Sequence, residues 1–216
     1  MEQTQIKVLD YIYQRQENLN VYYSPSKKFL FVKNARCAST SLVQAFNQNI
    51  QDFGFLKQDC DIDINDTFTL TSVRNPFDRV LSLWQWFKGA NKMPYSIDKF
   101  VLEMLPQYNS VWNTRHLKGN GKSYFNHFLG LSHSVETLDG KRFVDNVIRF
   151  ENFKEDWDNV KQKLHLDSIN IGNVNRSIIK VKGGVNAKDC FNEQQTQKIL
   201  ELYKRDFQLF YPEELK

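Results

Sequence analysis

The sequence predicts an α/β fold with a mainly parallel central sheet flanked by helices on both faces. Three stretches carry that expectation. An apolar run, Phe29–Val32, passes through a hydroxyl-rich turn into helical periodicity. A Thr-rich run, Phe68–Val73, passes through Asn75-Pro76 into a second helix. A third apolar run, Phe143–Phe150, precedes a helix from about Phe153 to Leu164. In sheets of this kind, ligands bind beyond the carboxyl ends of the strands.

The elements follow in order. After the first strand, Leu42, Ala45, Phe46 and Ile50 recur at helical spacing. After the second, Pro76 suits the first turn of a helix, where its missing N–H costs nothing, and Val80, Leu81, Trp84 and Phe87 share one side. A further helix is expected over Ile97–Leu105, and Asn113–Tyr124, with Gly119 and Gly121, reads as a surface loop. The last helix begins near Asn192, with Gln195 placed for a capping box, and carries Ile199, Tyr203, Phe207 and Phe210 as its core stripe. No repeat or Pro/Gly-rich linker divides the chain, so residues 1–216 are expected to form one domain.

Composition narrows the class. The chain has 216 residues, 41% hydrophobic and 14% aromatic, including 17 Phe, which is a globular composition able to bury a substantial core. Its net charge of +4 suits a small polyanion, and its basic residues are dispersed, which argues against nucleic acid as partner. No apolar run reaches the roughly 20 residues of a membrane span, and the polar first residues lack a secretory core. Cys37, Cys60 and Cys190 are odd in number and far apart, which fits a reducing, cytoplasmic setting. His116, His127, His133 and His165 show no metal-ligand spacing, so no metal is expected.

Two turns carry the chemistry. The stretch FLFVKNARCASTSL (Phe29–Leu42) gathers backbone N–H groups and one cation, Arg36, at a helix N-terminus, where negative charge is favoured. Ala38-Ser39-Thr40-Ser41 reads equally as a helix cap. The second stretch, Phe68–Trp84, sets Arg74 and Ser82 eight residues apart, and two grips suggest a ligand with two anionic groups. Arg79 either assists there or pairs with a surface carboxylate. The first turn is not a nucleotide-phosphate loop of the G-x-x-x-x-G-K-[ST] kind, because Lys33–Leu42 holds no glycine. Gly121-Lys122-Ser123 has His116 where that pattern needs its first glycine.

The run Ala35-Arg36-Cys37-Ala38-Ser39-Thr40-Ser41-Leu42 resembles the 5′-phosphosulfate loop of sulfotransferases, most closely the carbohydrate (family 2) branch. Arg74-Asn75-Pro76-Phe77-Asp78-Arg79-Val80-Leu81-Ser82 resembles that family's 3′-phosphate motif. Val144–Asn152 is similar to its third strand, ending Arg149-Phe150-Glu151. Asn173-Val174-Asn175-Arg176-Ser177 is similar to its segment near the adenine, and Tyr203–Phe210 to its C-terminal Tyr-x-x-Asp-Phe-x-x-Phe. The motifs occur in family order across roughly Val21 to Tyr211.

The resemblance implies a P-loop-like three-layer sandwich. It implies transfer of a sulfuryl group from 3′-phosphoadenosine 5′-phosphosulfate (PAPS) to a hydroxyl or amine of a carbohydrate or other small acceptor, without a metal. Arg36, Cys37, Ala38, Ser39, Thr40, Ser41 and Leu42 would take the 5′-phosphosulfate, Arg74 and Ser82 the 3′-phosphate, and Asn175, Arg176 and Ser177 the adenine side. The segment of about residues 91–134, where the family varies, would serve the acceptor. Ala35-Arg36 stands where the family usually has Pro-Lys, so Arg36 is the first candidate for the charge on the bridging oxygen and Lys33 the second. His116 is the first candidate for general base, with His127 and His133 behind it. Glu151 is expected to be structural.

Overall fold

The structure, a computed structural model, describes residues 8, 10–12, 20–57, 60, 62–90, 95–109, 127–166, 169, 171 and 186–215. Apolar and aromatic runs form five strands: β1 (Asn20–Ser24), β2 (Phe29–Lys33), β3 (Gly54–Phe55), β4 (Phe68–Val73) and β5 (Asn146–Arg149). They lie in the order β3-β1-β2-β4-β5. β2 pairs with β4 in parallel, Val32 opposite Thr71, and β4 with β5 in parallel, Val73 opposite Arg149.

The sheet is mixed: β2, β4 and β5 form its parallel pairs, and β1 alone runs against the other strands. β1 runs antiparallel to both β2 and β3. The added strand is a hairpin partner: the Pro25–Lys28 turn closes with Lys28 at φ 44° and a bond from Lys28 N to Pro25 O (3.1 Å). Asp52 fastens that turn by accepting from Ser24 Oγ (2.5 Å) and Ser26 N (2.7 Å).

The chain divides into two compact units, Met1–Val73 with His133–Val174 and Arg74–Ser132 with Asn175–Lys216. In the first, helices α1 (Ser39–Asn49) and α4 (Phe153–Leu164) contribute to the apolar core on one face of the sheet. Phe46 of α1, fully buried, meets Phe29 (4.8 Å between ring centroids), Phe31 (5.5 Å) and Trp157 (5.7 Å). Each such side chain contributes about 1.5–3 kcal/mol by leaving water. The predicted stripe Leu42, Ala45, Phe46 and Ile50 is buried throughout.

The second unit is helical. Its helix α2 (Pro76–Ala90) starts at Pro76, and Asn75 Oδ1 accepts from Phe77 N (3.0 Å) to cap it. The helix expected over Ile97–Leu105 runs on to Tyr108. It is α-helical at Ile97–Lys99, π-helical at Phe100–Met104 and α-helical again at Leu105–Tyr108, together α3. Pro106, which has no N–H to donate, sits just after the π stretch.

The capping box at Asn192 and Gln195 forms as expected, with both bonds at 2.9 Å. The last helix, however, is two: α5 (Glu193–Leu202) and α6 (Lys204–Phe210) meet at Tyr203, whose φ of −111° and ψ of 23° leave helical values. Tyr203 Oη donates to Phe128 O (2.9 Å), and the stripe Ile199, Tyr203, Phe207 and Phe210 stays buried across the break.

Buried charges hold the same region. Asp206 accepts from Leu131 N (2.7 Å) and Ser132 N (2.8 Å). Arg79 Nη2 donates to His127 O (3.0 Å) and Leu129 O (2.7 Å), and its guanidinium lies 5.8 Å from the Tyr203 ring centroid. Arg79 is therefore a buried residue that binds main-chain carbonyls.

Burial pushes the Asp206 carboxyl above its usual range, against Arg79 and the two amide donors that favour its charged form. The folded chain then binds this proton more tightly than the unfolded one. The stabilisation is complete below the unfolded value of about 4 and is lost as pH rises through the folded value. The unfolding free energy of the wild type minus that of Asp206→Asn should accordingly fall as pH rises above about 4. A flat or rising difference in denaturant titrations would show that the amide bonds outweigh burial.

Candidate functional site

β2 ends at Lys33 and the chain turns sharply before α1 begins at Ser39. The turn contains no glycine, yet Arg36 (φ 66°) and Ala38 (φ 59°) both have left-handed backbones, with Cys37 between them at negative φ. Left-handed residues of this kind occur in anion-binding nests of backbone N–H groups. Ala38 is the N-cap of α1, and no side chain caps the helix. The hydroxyl cluster is thus not a side-chain cap. The first intrahelical bonds come from Ser41 N (3.0 Å) and Leu42 N (3.2 Å) to Ala38 O, so the amides of Ser39 and Thr40 precede them.

The side chains of this turn divide by burial. Cys37 and Leu42 are fully buried, and the Cys37 thiol contacts Ala35 O (3.4 Å), so neither side chain is open to solvent. Ser39 is buried and its hydroxyl donates to Asn34 O. Thr40 is exposed, while Arg36 and Ser41 are half-buried. Lys33 is half-buried too, and burial holds its ammonium below the ordinary lysine value. A desolvated lysine gives up its proton more readily than an exposed one.

Sequence reasoning missed the polar cluster behind the turn. Asn34 Nδ2 donates to Thr71 Oγ1 (2.9 Å), Ser72 O (3.0 Å) and Ser134 Oγ (2.8 Å). The signal available was a buried-type strand ending in a small amide residue, with hydroxyl residues at Thr69, Thr71 and Ser72 of the neighbouring strand. Near the end of β4, the Ser72 hydroxyl is buried without a partner among the described residues.

The second unit holds Arg74 and Ser82, buried at 5% and 2% exposure. Arg74 directly follows β4, and its Nη2 lies 3.6 Å from Asp78 Oδ1, one helical turn on. Burial raises the Asp78 carboxyl; Arg74 opposes that rise and Glu214 adds to it. An arginine fork can meet a terminal phosphate in bidentate fashion.

The histidines separate. His127 stacks on Trp86 at 4.7 Å and 11° between ring planes, and its carbonyl is taken by Arg79. His133, half-buried, gives its carbonyl to Tyr11 Oη (3.2 Å). Glu151 is exposed in the short 3₁₀ turn Phe150–Asn152 that leads into α4. His116, Asn175, Arg176 and Ser177 lie outside the described residues, as does the loop expected over Asn113–Tyr124. Among the described residues, no group of three His, Cys, Asp or Glu is placed to hold a metal. No described helix is long and apolar enough to cross a membrane.

Residues 13–212 match the family described as "Sulfotransferase family". No match was found among curated proteins or among solved structures. The chain belongs to the sulfotransferase family, a family of transferases.

Left-handed backbone at a residue with a Cβ costs roughly 1–2 kcal/mol. Ala38→Gly should relieve that strain and raise the unfolding free energy by up to about 1 kcal/mol. Ala45→Gly, inside α1, should lower it by about 1 kcal/mol. Chemical denaturation of the two variants side by side checks the assignment, and a loss of stability in both would refute the strain at Ala38.

Proposed function

We propose that this protein is a PAPS-dependent sulfotransferase acting on a hydroxyl or amine of a carbohydrate or other small acceptor. The observation that carries the reading is the glycine-free turn with left-handed Arg36 and Ala38, in the register of the family's phosphosulfate loop. The donor set suits two anionic groups. Backbone amides from Cys37 to Thr40, with the exposed Thr40 and half-buried Ser41 hydroxyls, fit a 5′-phosphosulfate. Buried Arg74 and Ser82 fit a 3′-phosphate. Asn175, Arg176 and Ser177 are proposed for the adenine side. A cytoplasmic setting is part of the proposal, in keeping with the free thiols at Cys37, Cys60 and Cys190.

When bound, PAPS supplies the activated sulfuryl group. The work left to the protein is in-line placement and stabilisation of charge on the departing phosphate oxygen. Arg36 is proposed to supply a fixed positive charge there. It keeps its proton, so it stabilises charge without acting as an acid. Lys33, desolvated, is the residue suited to give a proton. The acceptor's own proton needs a base within hydrogen-bond reach, for which His116 is proposed.

A second reading, a domain that binds the nucleotide without turnover, is favoured by one observation: Arg36 occupies the position where the family usually has lysine.

Calorimetry with adenosine 3′,5′-bisphosphate tests the donor assignment. The wild type should bind it, and Arg74→Ala should weaken it by about tenfold or more while barely changing affinity for adenosine 5′-monophosphate. Equal losses for the two nucleotides would remove Arg74 from the 3′-phosphate.

Turnover with labelled PAPS and a glycan panel separates the two readings. Transfer should persist in Arg36→Lys, and Arg36→Ala should lower kcat more than nucleotide affinity. Tight binding with no transfer to any acceptor would favour the non-catalytic reading. Greater damage from Lys33→Ala than from Arg36→Ala would move the catalytic charge to Lys33.

A further inference from the structure

Asn34 stands between the last residue of β2 and the turn, and it is 8% exposed. Its amide has two protons and three acceptors in reach: Thr71 Oγ1, Ser72 O and Ser134 Oγ. The Thr71 hydroxyl gives its own proton to Val32 O (2.7 Å), so its oxygen meets Asn34 as an acceptor. On the main chain, Asn34 O accepts the hydroxyl of Ser39, the first residue of α1. One residue thus joins β4, the segment at Ser134 and both ends of the turn.

The turn needs such a hold. Two of its residues, Arg36 and Ala38, adopt left-handed backbones that cost energy without glycine. Strained conformations persist only where their surroundings over-determine them. A buried amide also loses more on truncation than it contributes when intact, because its partners are left unpaired. The Asn34 cluster is buried and lies directly behind the strained residues, with no described side chain capping α1 to share the task.

We propose that Asn34 is a positioning residue for the anion-binding turn: it holds the left-handed Arg36–Ala38 backbone in the shape that receives the 5′-phosphate end of the nucleotide. The role rests on the PAPS reading above. Asn34 touches no ligand itself. It acts through the turn, with Ser134 and Thr71 as the fixed points.

The test compares two probes on the full chain by calorimetry, adenosine 3′,5′-bisphosphate and adenosine 3′-monophosphate, which lacks the 5′-phosphate. Asn34→Ala should weaken the bisphosphate by about tenfold or more and the monophosphate by less than about threefold. Ser134→Ala leaves Asn34 in place and removes one acceptor. It should show the same selectivity with a smaller loss, and it keeps the test open should Asn34→Ala fail to fold. The coupling of the two substitutions in a double-mutant cycle should be less than additive, since they act through one cluster. If the wild type binds both probes but the variants lose them equally, or lose neither, the positioning role is overturned and the PAPS reading stands. A wild type that binds neither probe overturns the PAPS reading, and the positioning role with it.

Discussion

Parallel hydrogen bonding between β2 and β4 is the constraint on which the rest depends. Because Phe29–Val32 pair residue by residue with Phe68–Thr71, both strands end at the same edge of the sheet. A parallel pair requires a crossover between its strands, and α1 supplies the helix of that crossover while packing Phe46 onto Phe29 and Phe31. The segment that leaves β2 at that edge is Asn34–Ala38, and β4 ends at the same edge with Val73.

Polar groups buried in each unit do a task that apolar packing cannot. Apolar side chains fill volume but do not fix the direction of a carbonyl or an amide. In the first unit, Asn34 fixes both by bonding in three directions at once. In the second, Arg79, Tyr203 and Asp206 take five main-chain groups between His127 and Ser132. The C-terminal Tyr-x-x-Asp-Phe pattern therefore has a physical meaning in this chain. The tyrosine and aspartate secure the stretch that leads from Phe128 into the 3₁₀ turn Leu131–Ser134, and Phe207 packs on Phe77 at 5.3 Å.

Much of the fold was legible because period and punctuation agreed. The stretch Phe68–Val73, the helix starting at Pro76, the helix Phe153–Leu164 and the capping box at Asn192 were each marked by several local signals. β1 and β3 were not. β1 follows a polar stretch and gains its place from pairing with β2, and β3 has only two residues. The candidate site was legible in its residue types but not in its backbone. Positive φ is normally announced by glycine, and here arginine and alanine adopt it instead. The Asn34–Ser134 bond spans 100 positions, a separation at which spacing carries no information. The role of Arg79 was equally hidden, because its acceptors are main-chain carbonyls that any residue type presents.

The two-residue β3 strand has a consequence for how the molecule behaves in company. A sheet margin with a long row of open N–H and C=O groups invites another chain to pair with it. Here one margin ends in Gly54–Phe55, where Phe55, 65% exposed, stacks on Tyr22 at 4.4 Å. At the other margin, the four-residue β5 gives Arg149 N to the Asp156 carboxylate (2.7 Å), and Lys163 reaches Asn146 Oδ1 (2.9 Å). Short rims, one carrying charge, offer little template for fibre-like stacking. That protects a chain whose 17 phenylalanines would be costly to expose while it folds.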